Sequence, residues 1–395
     1  MTAAGIVVEY NPFHNGHLYH INETRRLSNA DTLIAVMSGS FLQRGEPAII
    51  DKWARAKTAL QHGVDIVVEL PYAFSTQRAE VFAQGAIQIL SLLKCRTFCF
   101  GSENGQLHPF LQTAERLQEN REQLEASVHL FIKKGDSYPS AQTKARNQVF
   151  GENQLLLDLS KPNNILGFHY IQANQEIGAP MLPLTLQRKG AGFHDTEAAG
   201  PIASATAIRH RLLTAGTSIN DVMPSLSSAA LKNRPLHSWE SYWPLLRYRL
   251  LSIEPECLSS IYEVEEGIGP RLTRAARQSS SFTGFMQRVK TKRYTWTRLQ
   301  RMMTHILTDT SKESMRQAQH VSFIRLLGMT ENGRTYIRSI KKNLDVPLIS
   351  RTAAGSDLLS LDIKAARVFA AASGAEESYI HSLLDQEYSM PPILL

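Results

Sequence analysis

Cysteine is scarce. Cys95, Cys99 and Cys257 are the three thiols in 395 residues, and no two of them form a Cys-x-x-Cys pair. Zinc modules and disulfide frameworks need more ligands or paired spacings, so neither organises this chain. Long apolar runs are missing too: no stretch nears the roughly 18 uninterrupted apolar residues of a membrane helix. The opening MTAAGIVVEY carries no basic leader ahead of its apolar run. These absences predict a protein of the reducing cytoplasm with no membrane attachment. A Walker A string and a Gly-x-Gly-x-x-Gly fingerprint are absent as well, which sets aside a P-loop or a dinucleotide site. Internal repeats, low-complexity tracts and charged tails are likewise lacking.

What is present is an ordinary globular balance, 43% hydrophobic and 20% charged residues, which argues against a mainly disordered chain. Single cores rarely grow past about 250 residues, so the length predicts at least two. A formal net charge of +7 favours polyanionic partners.

The amino-terminal half alternates strand and helix patterns. Apolar runs at 5–8, 32–38 (TLIAVMS), 65–70 (DIVVEL), 97–100 (TFCF) and 183–187 (PLTLQ) read as five strands. Helical spacing fills 17–27, 51–62 with Asp51 as N-cap, 80–93 and a stretch after Pro162 capped by Asn163 or Asn164. Such alternation implies a parallel sheet with right-handed crossovers and a ligand site beyond the carboxyl ends of the strands. From about Thr217 the strand patterns fade. Helices are predicted over 239–251, 260–266, 272–278, 282–289 and 298–307, followed by short apolar runs mixed with helices. The change of character falls near 215–224, where Gly216, Asn220 and Pro224 cluster.

The chain is organised around GIVVEYNPFHNGHLYH, residues 5–20. A β-branched run breaks at Glu9-Tyr10-Asn11-Pro12 and is followed by His14-Asn15-Gly16-His17 at the start of a helix. A helix opening carries unpaired backbone N–H groups and the positive end of the dipole, a ready anion site. Two imidazoles three residues apart then offer hydrogen bonds to a phosphoryl oxygen. The other reading is that both histidines simply cap the helix. His-x-Gly-His after a first strand is the signature of the nucleotidyltransferase superfamily, and the longer EYNPFHNGH resembles the tRNA(Met) cytidine acetate ligase family. Three further segments extend the likeness: SKPNNILG (160–167), IASATAIR (202–209), which is similar to the second superfamily signature with alanines at 203 and 205, and KTKRY (290–294).

The resemblance implies a Rossmann-like α/β domain of the HUP type over 1–215 that binds ATP, then a mainly α-helical tRNA-binding domain over 216–395. It implies an ATP site built from Val7, Val8, Glu9, Tyr10, Asn11, Pro12, Phe13, His14, Asn15, Gly16, His17, Leu18, Tyr19 and His20. Gly101, Asn163, Arg188, Ser204, Thr206 and Arg209 join that site. His14, His17 and Arg188 are the catalytic candidates, acting by charge stabilisation with no protein nucleophile. Gly101 could equally be a turn glycine, and Ser204 or Thr206 a plain helix cap. Residues 286–301 hold six cations and no acid, interleaved with Tyr294 and Trp296. Lys290, Lys292, Arg293, Tyr294, Trp296 and Arg298 are therefore the candidate tRNA contacts, the alternative being a solvated basic face. The implied activity is an ATP-dependent ligase joining acetate to the wobble cytidine of elongator tRNA(Met), with Mg²⁺ entering on the phosphates and no dedicated metal site. An adenylyltransferase of a small metabolite and a nucleotide-regulated RNA-binding protein are the rival readings. Nothing in the sequence points to a protein partner.

Overall fold

The computed structural model describes all residues except 137, 152–156, 179, 189–202, 215–218, 233, 266, 353–354, 356 and 373. The glycine-rich segment after Arg188, Ile202 of the second signature, much of the predicted 215–224 junction and part of the 350–354 turn lie outside the described residues.

An eight-stranded sheet forms the centre: β1 (Ala3–Val8), β2 (Thr32–Ser38), β3 (Ile66–Leu70), β4 (Thr97–Ser102), β5 (Leu182–Gln187), β6 (Ile324–Met329), β7 (Leu348–Ile349) and β8 (Ile393–Leu394). The order is β5-β4-β1-β2-β3-β6-β7, with β8 on β6, and every pairing is parallel except β3 with β6. Both faces are covered, which explains why the strands read as continuous apolar runs. Side chains alternate between the faces. Ile34, Val36, Ile66, Val68, Phe98 and Phe100 join one core, while Ile6, Val8, Leu33, Ala35 and Cys99 join the other. The chain runs from β1 to β2 and β3 on one side, then returns to place β4 and β5 on the other. The switch point lies between β1 and β4, where a ligand crevice opens in such sheets.

The predicted helices of the first half form as Asn15–Ser28, Lys52–Gln61, Ala79–Leu92 and Pro162–Glu176. Asp51 caps the second, its Oδ1 accepting the Ala54 N–H at 2.8 Å. Three expectations fail. Lys161, not an asparagine, is the N-cap of Pro162–Glu176, because Pro162 fits the first helical position and pulls both asparagines into the first turn. The helix predicted over 260–266 lies at Pro255–Ser260 for the same reason, and Ile261 instead bridges Ser311. Strands do not end with β5: β6, β7 and β8 return from the carboxyl-terminal third to extend the sheet. A buried charge cluster fastens that return. Lys52 Nζ meets Glu69 at 2.8 Å and Glu387 at 2.9 Å, and Arg325 pairs with both acids.

Candidate active site

The loop after β1 is held by main-chain contacts that the sequence does not announce. Asn11 Oδ1 accepts the Ile49 N–H at 2.7 Å. Arg55, buried under the loop, donates to the carbonyls of Glu9 (2.7 Å), Ser38 (2.9 Å) and Ile50 (3.2 Å). Burial draws its pKa down to about 10, and the carbonyls pin the strand ends on either side of it. Tyr10, at φ +51°, and the cis Asn11–Pro12 bond complete the turn into the helix.

His14 is the N-cap of Asn15–Ser28. Its Nδ1 accepts the Gly16 N–H at 3.1 Å, and the Nδ1 of His17 accepts the His14 N–H at 3.2 Å, a capping box made by two imidazoles. The rings stack with centroids 3.7 Å apart. Since Nδ1 accepts in both, the proton of each neutral ring sits on Nε2, which takes no part in the cap, and both residues line the cavity. Burial, then the Arg188 and Arg209 charges, press the His14 pKa down to about 3; burial and His14 hold His17 well below the ordinary value. Both are thus neutral donors at neutral pH. The expectation of unpaired N–H groups at the helix opening does not hold: Asn15 N–H donates to the Val222 carbonyl, Gly16 N–H to His14, and His17 N–H to the His14 carbonyl. Capping uses up the backbone donors and leaves the two Nε2–H groups to meet an anion.

The ends of β4 and β5 build the facing wall. Arg188 leaves β5 with its N–H on the Ser102 carbonyl, and its guanidinium donates to Asn163 Oδ1 at 2.6 Å. Asn163 Nδ2 donates in turn to Glu103 at 3.1 Å. Gly101 lies under the stem of Arg188: a Cβ there would stand 3.1 Å from Arg188 Cγ. Gly101, Asn163, Arg188 and Ser204 all line the cavity. Ser204 also caps its helix, Ala205–Thr214, through the Ala207 N–H.

That cavity, about 1200 Å³, does not stop at the histidines. It runs past Glu9, Gln43 and Arg44 to Glu263, Glu265, Arg293, Arg298, Arg301 and Lys312. Pockets for one small ligand span about 300–1000 Å³, so there is room for more than a mononucleotide. The link is the 42–46 loop. Gln43 N–H donates to Glu9 Oε1 at 2.8 Å, and Gly45, at φ +76°, lies against the backbone of Gln300 and Arg301, where an added Cβ would come within 2.4 Å. Only glycine lets the loop and the Trp296–Leu307 helix touch there.

A family model described as HIGH Nucleotidyl Transferase matches residues 1–381. A tRNA(Met) cytidine acetate ligase of Lysinibacillus sphaericus is 46% identical, with 100% of both chains covered; that of Bacillus subtilis is 45% identical over 100% of this chain and 97% of its own. The chain belongs to this ligase family. Among solved structures, Thermotoga maritima TmcAL in its apo form has a TM-score of 0.91 at 33% identity, covering 100% of both chains. The form bound with alpha-thio ATP gives 0.89 at 32%, again with full coverage.

Within this ligase fold the sequence-predicted residues separate into those that line the cavity and those behind it. Val7, Val8, Glu9, His14, Gly16, His17, Tyr19 and His20 line it. Tyr10 and Phe13 support His17 from behind, with ring centroids 5.0 and 5.7 Å away. Asn11 and Asn15 are occupied by the loop and by residues 221–222. Arg209 donates to the Asn11 carbonyl at 3.0 Å and pairs with Glu46 at 2.9 Å, so it braces the motif loop. Thr206 is exposed. Of the basic segment, Arg293 and Arg298 reach the cavity, while Lys290, Lys292 and Trp296 are exposed beside it. Tyr294 is buried, its hydroxyl donating to Glu265 at 3.4 Å and its ring 5.0 Å from the Arg298 guanidinium. Gln43, Arg44, Glu263, Glu265 and Lys312 were not singled out by sequence. They carry no motif and meet only through the fold. No group of three or more His, Cys, Asp or Glu suited to a metal occurs among the described residues, and no described helix is long and apolar enough to cross a membrane.

Proposed function

We propose that this protein is an ATP-dependent tRNA(Met) cytidine acetate ligase that works in the cytoplasm. The observation that carries the reading is the single cavity joining the paired histidines to Arg293 and Arg298. In the first step the carboxylate oxygen of acetate attacks the α-phosphorus of ATP, forming acetyl-adenylate and releasing pyrophosphate. The Nε2–H groups of His14 and His17 meet the negative charge that grows on the phosphoryl oxygens, and Arg188, steadied by Asn163, neutralises the departing pyrophosphate. Neutral imidazoles suit this task, since they donate without needing a proton from solvent. Mg²⁺ accompanies the phosphates as their counter-ion.

In the second step N4 of the wobble cytidine of elongator tRNA(Met) attacks the acetyl carbonyl. The C–N bond forms, AMP leaves with the electron pair of the anhydride bond, and the amine loses its proton. Residues 1–215 carry the nucleotide chemistry and residues 216–395 the RNA contact, with Arg293 and Arg298 at the junction. An adenylyltransferase of a small metabolite would have no use for that basic wall. The test is acetate-dependent exchange of labelled pyrophosphate into ATP, together with mass spectrometry of tRNA nucleosides after incubation with acetate and ATP. N4-acetylcytidine and acetate-dependent exchange are expected. Exchange driven by another acid alone would refute the reading.

A further inference from the structure

Several cations that line the cavity are already paired with acids: Arg78 with Glu80, Arg293 and Arg298 with Glu265, and Arg301 with Glu263. A second set behaves differently. Arg271, Arg274, Arg277, Arg288, Lys290 and Lys292 are exposed and form no ion pair with any described residue. Three of them recur at every third position of the Gly269–Arg277 helix, whose Leu272, Ala275 and Ala276 are buried, so Arg274 and Arg277 stand on the side away from the core. Arg271 then clasps the end of the Phe282–Val289 helix. Its Nε donates to the Val289 carbonyl at 3.0 Å and its Nη2 to the Arg288 carbonyl at 2.7 Å. This contact sets Arg288 and Lys290 next to the arginine row. From Lys290 the chain passes Lys292 to Arg293 on the cavity wall. The row of three covers about 9 Å of helix, and Lys290 to Arg293 adds up to about 10 Å of chain.

We propose that this unpaired stripe is a docking track for the phosphate backbone of a tRNA stem, which leads the unpaired loop into the cavity. The inference rests on the proposed function and extends it to a helix in which the sequence shows no motif. A row of like charges without acids between them repels itself, and an external polyanion relieves that repulsion. An anionic bilayer would also satisfy the charge, but the stripe ends at a deep cavity that a flat surface cannot enter and a hairpin loop can.

The test is the double variant Arg274→Glu/Arg277→Glu in the full chain, leaving Arg271 to clasp its helix. Binding to tRNA is followed by fluorescence anisotropy between about 50 and 200 mM salt, with thermal unfolding in parallel. The dissociation constant is expected to rise roughly tenfold or more at low salt, and the log–log salt slope to flatten by about 2, with unfolding unchanged. The Arg274→Lys/Arg277→Lys pair should bind as the wild type does. A double Glu variant that matches the wild type in affinity and slope overturns the stripe alone. A wild type that binds no tRNA removes the functional reading beneath it. Loss of binding to phosphatidylserine vesicles with tRNA binding intact would assign the stripe to lipid and overturn the proposal.

Discussion

His14 does two things through its two ring nitrogens, and one substitution separates them. Its Nδ1 caps the first helix through the Gly16 N–H, and its Nε2–H is left free of the cap on a residue that lines the cavity. Asparagine is among the best N-cap residues, so His14→Asn keeps the cap within about 0.5 kcal/mol, whereas His14→Ala gives up about 1 kcal/mol. Neither replacement puts a donor where the imidazole Nε2–H is. Removing one preorganised donor from a developing oxyanion costs about 2.7–4 kcal/mol, or about 10²–10³ in rate. Acetate-dependent pyrophosphate exchange should therefore fall by that factor in both variants, while chemical denaturation separates them by the cap alone. Exchange within about threefold of the wild type in His14→Asn would refute the assignment of a donor role. A loss of exchange that tracked the loss of stability across the two variants would refute it as well, because His14 would then act only by holding the helix.

Acid should weaken the fold. Burial holds His14, His20, His237 and His305 at about 3, 4, 4 and 3, below the 6.5 of an unfolded histidine. The unfolded chain therefore binds more protons below pH 6.5, so this stability is complete above that value and is lost as pH falls, about 1.4 kcal/mol each at pH 5.5. Asp362, raised to about 7 by burial and by Glu69, has the opposite sign and returns about 2 kcal/mol, leaving a net loss of about 3.5 kcal/mol from these groups. Urea midpoints at about pH 7.5 and 5.5 test this, and a higher midpoint in acid would contradict it. Glu387→Gln leaves Lys52 and Arg325 short of a buried partner and should cost about 3–5 kcal/mol by denaturant unfolding; a loss under about 1 kcal/mol would mean the cluster does not fasten β6 to the sheet. Gly101→Ala sets a Cβ 3.1 Å from Arg188 Cγ. The displaced guanidinium should raise the KM for ATP roughly three- to tenfold, up to about 1.4 kcal/mol, with stability nearly unchanged; an unaltered KM would refute the packing argument.

The sequence by itself determined the strand–helix alternation, the parallel sheet and the position of the histidine motif, because these depend on local patterns. β-branched runs ended by proline, an Asp51 cap and a nine-residue string are all readable within a few positions of one another. It also singled out Arg293 and Arg298, since a run of cations without acids stands out in any order of folding. Tertiary structure decided the rest. Whether the first helix offers its backbone N–H groups or its imidazole protons depended on which atoms capped it. Arg209 and Arg298 look alike as arginines, but Arg209 braces the motif loop through Glu46 while Arg298 stands on the cavity wall. The return of β6 beside β3 and the meeting of Gly45 with Arg301 join residues hundreds of positions apart. Such contacts are set by the shape of the whole packed chain, which no local pattern records.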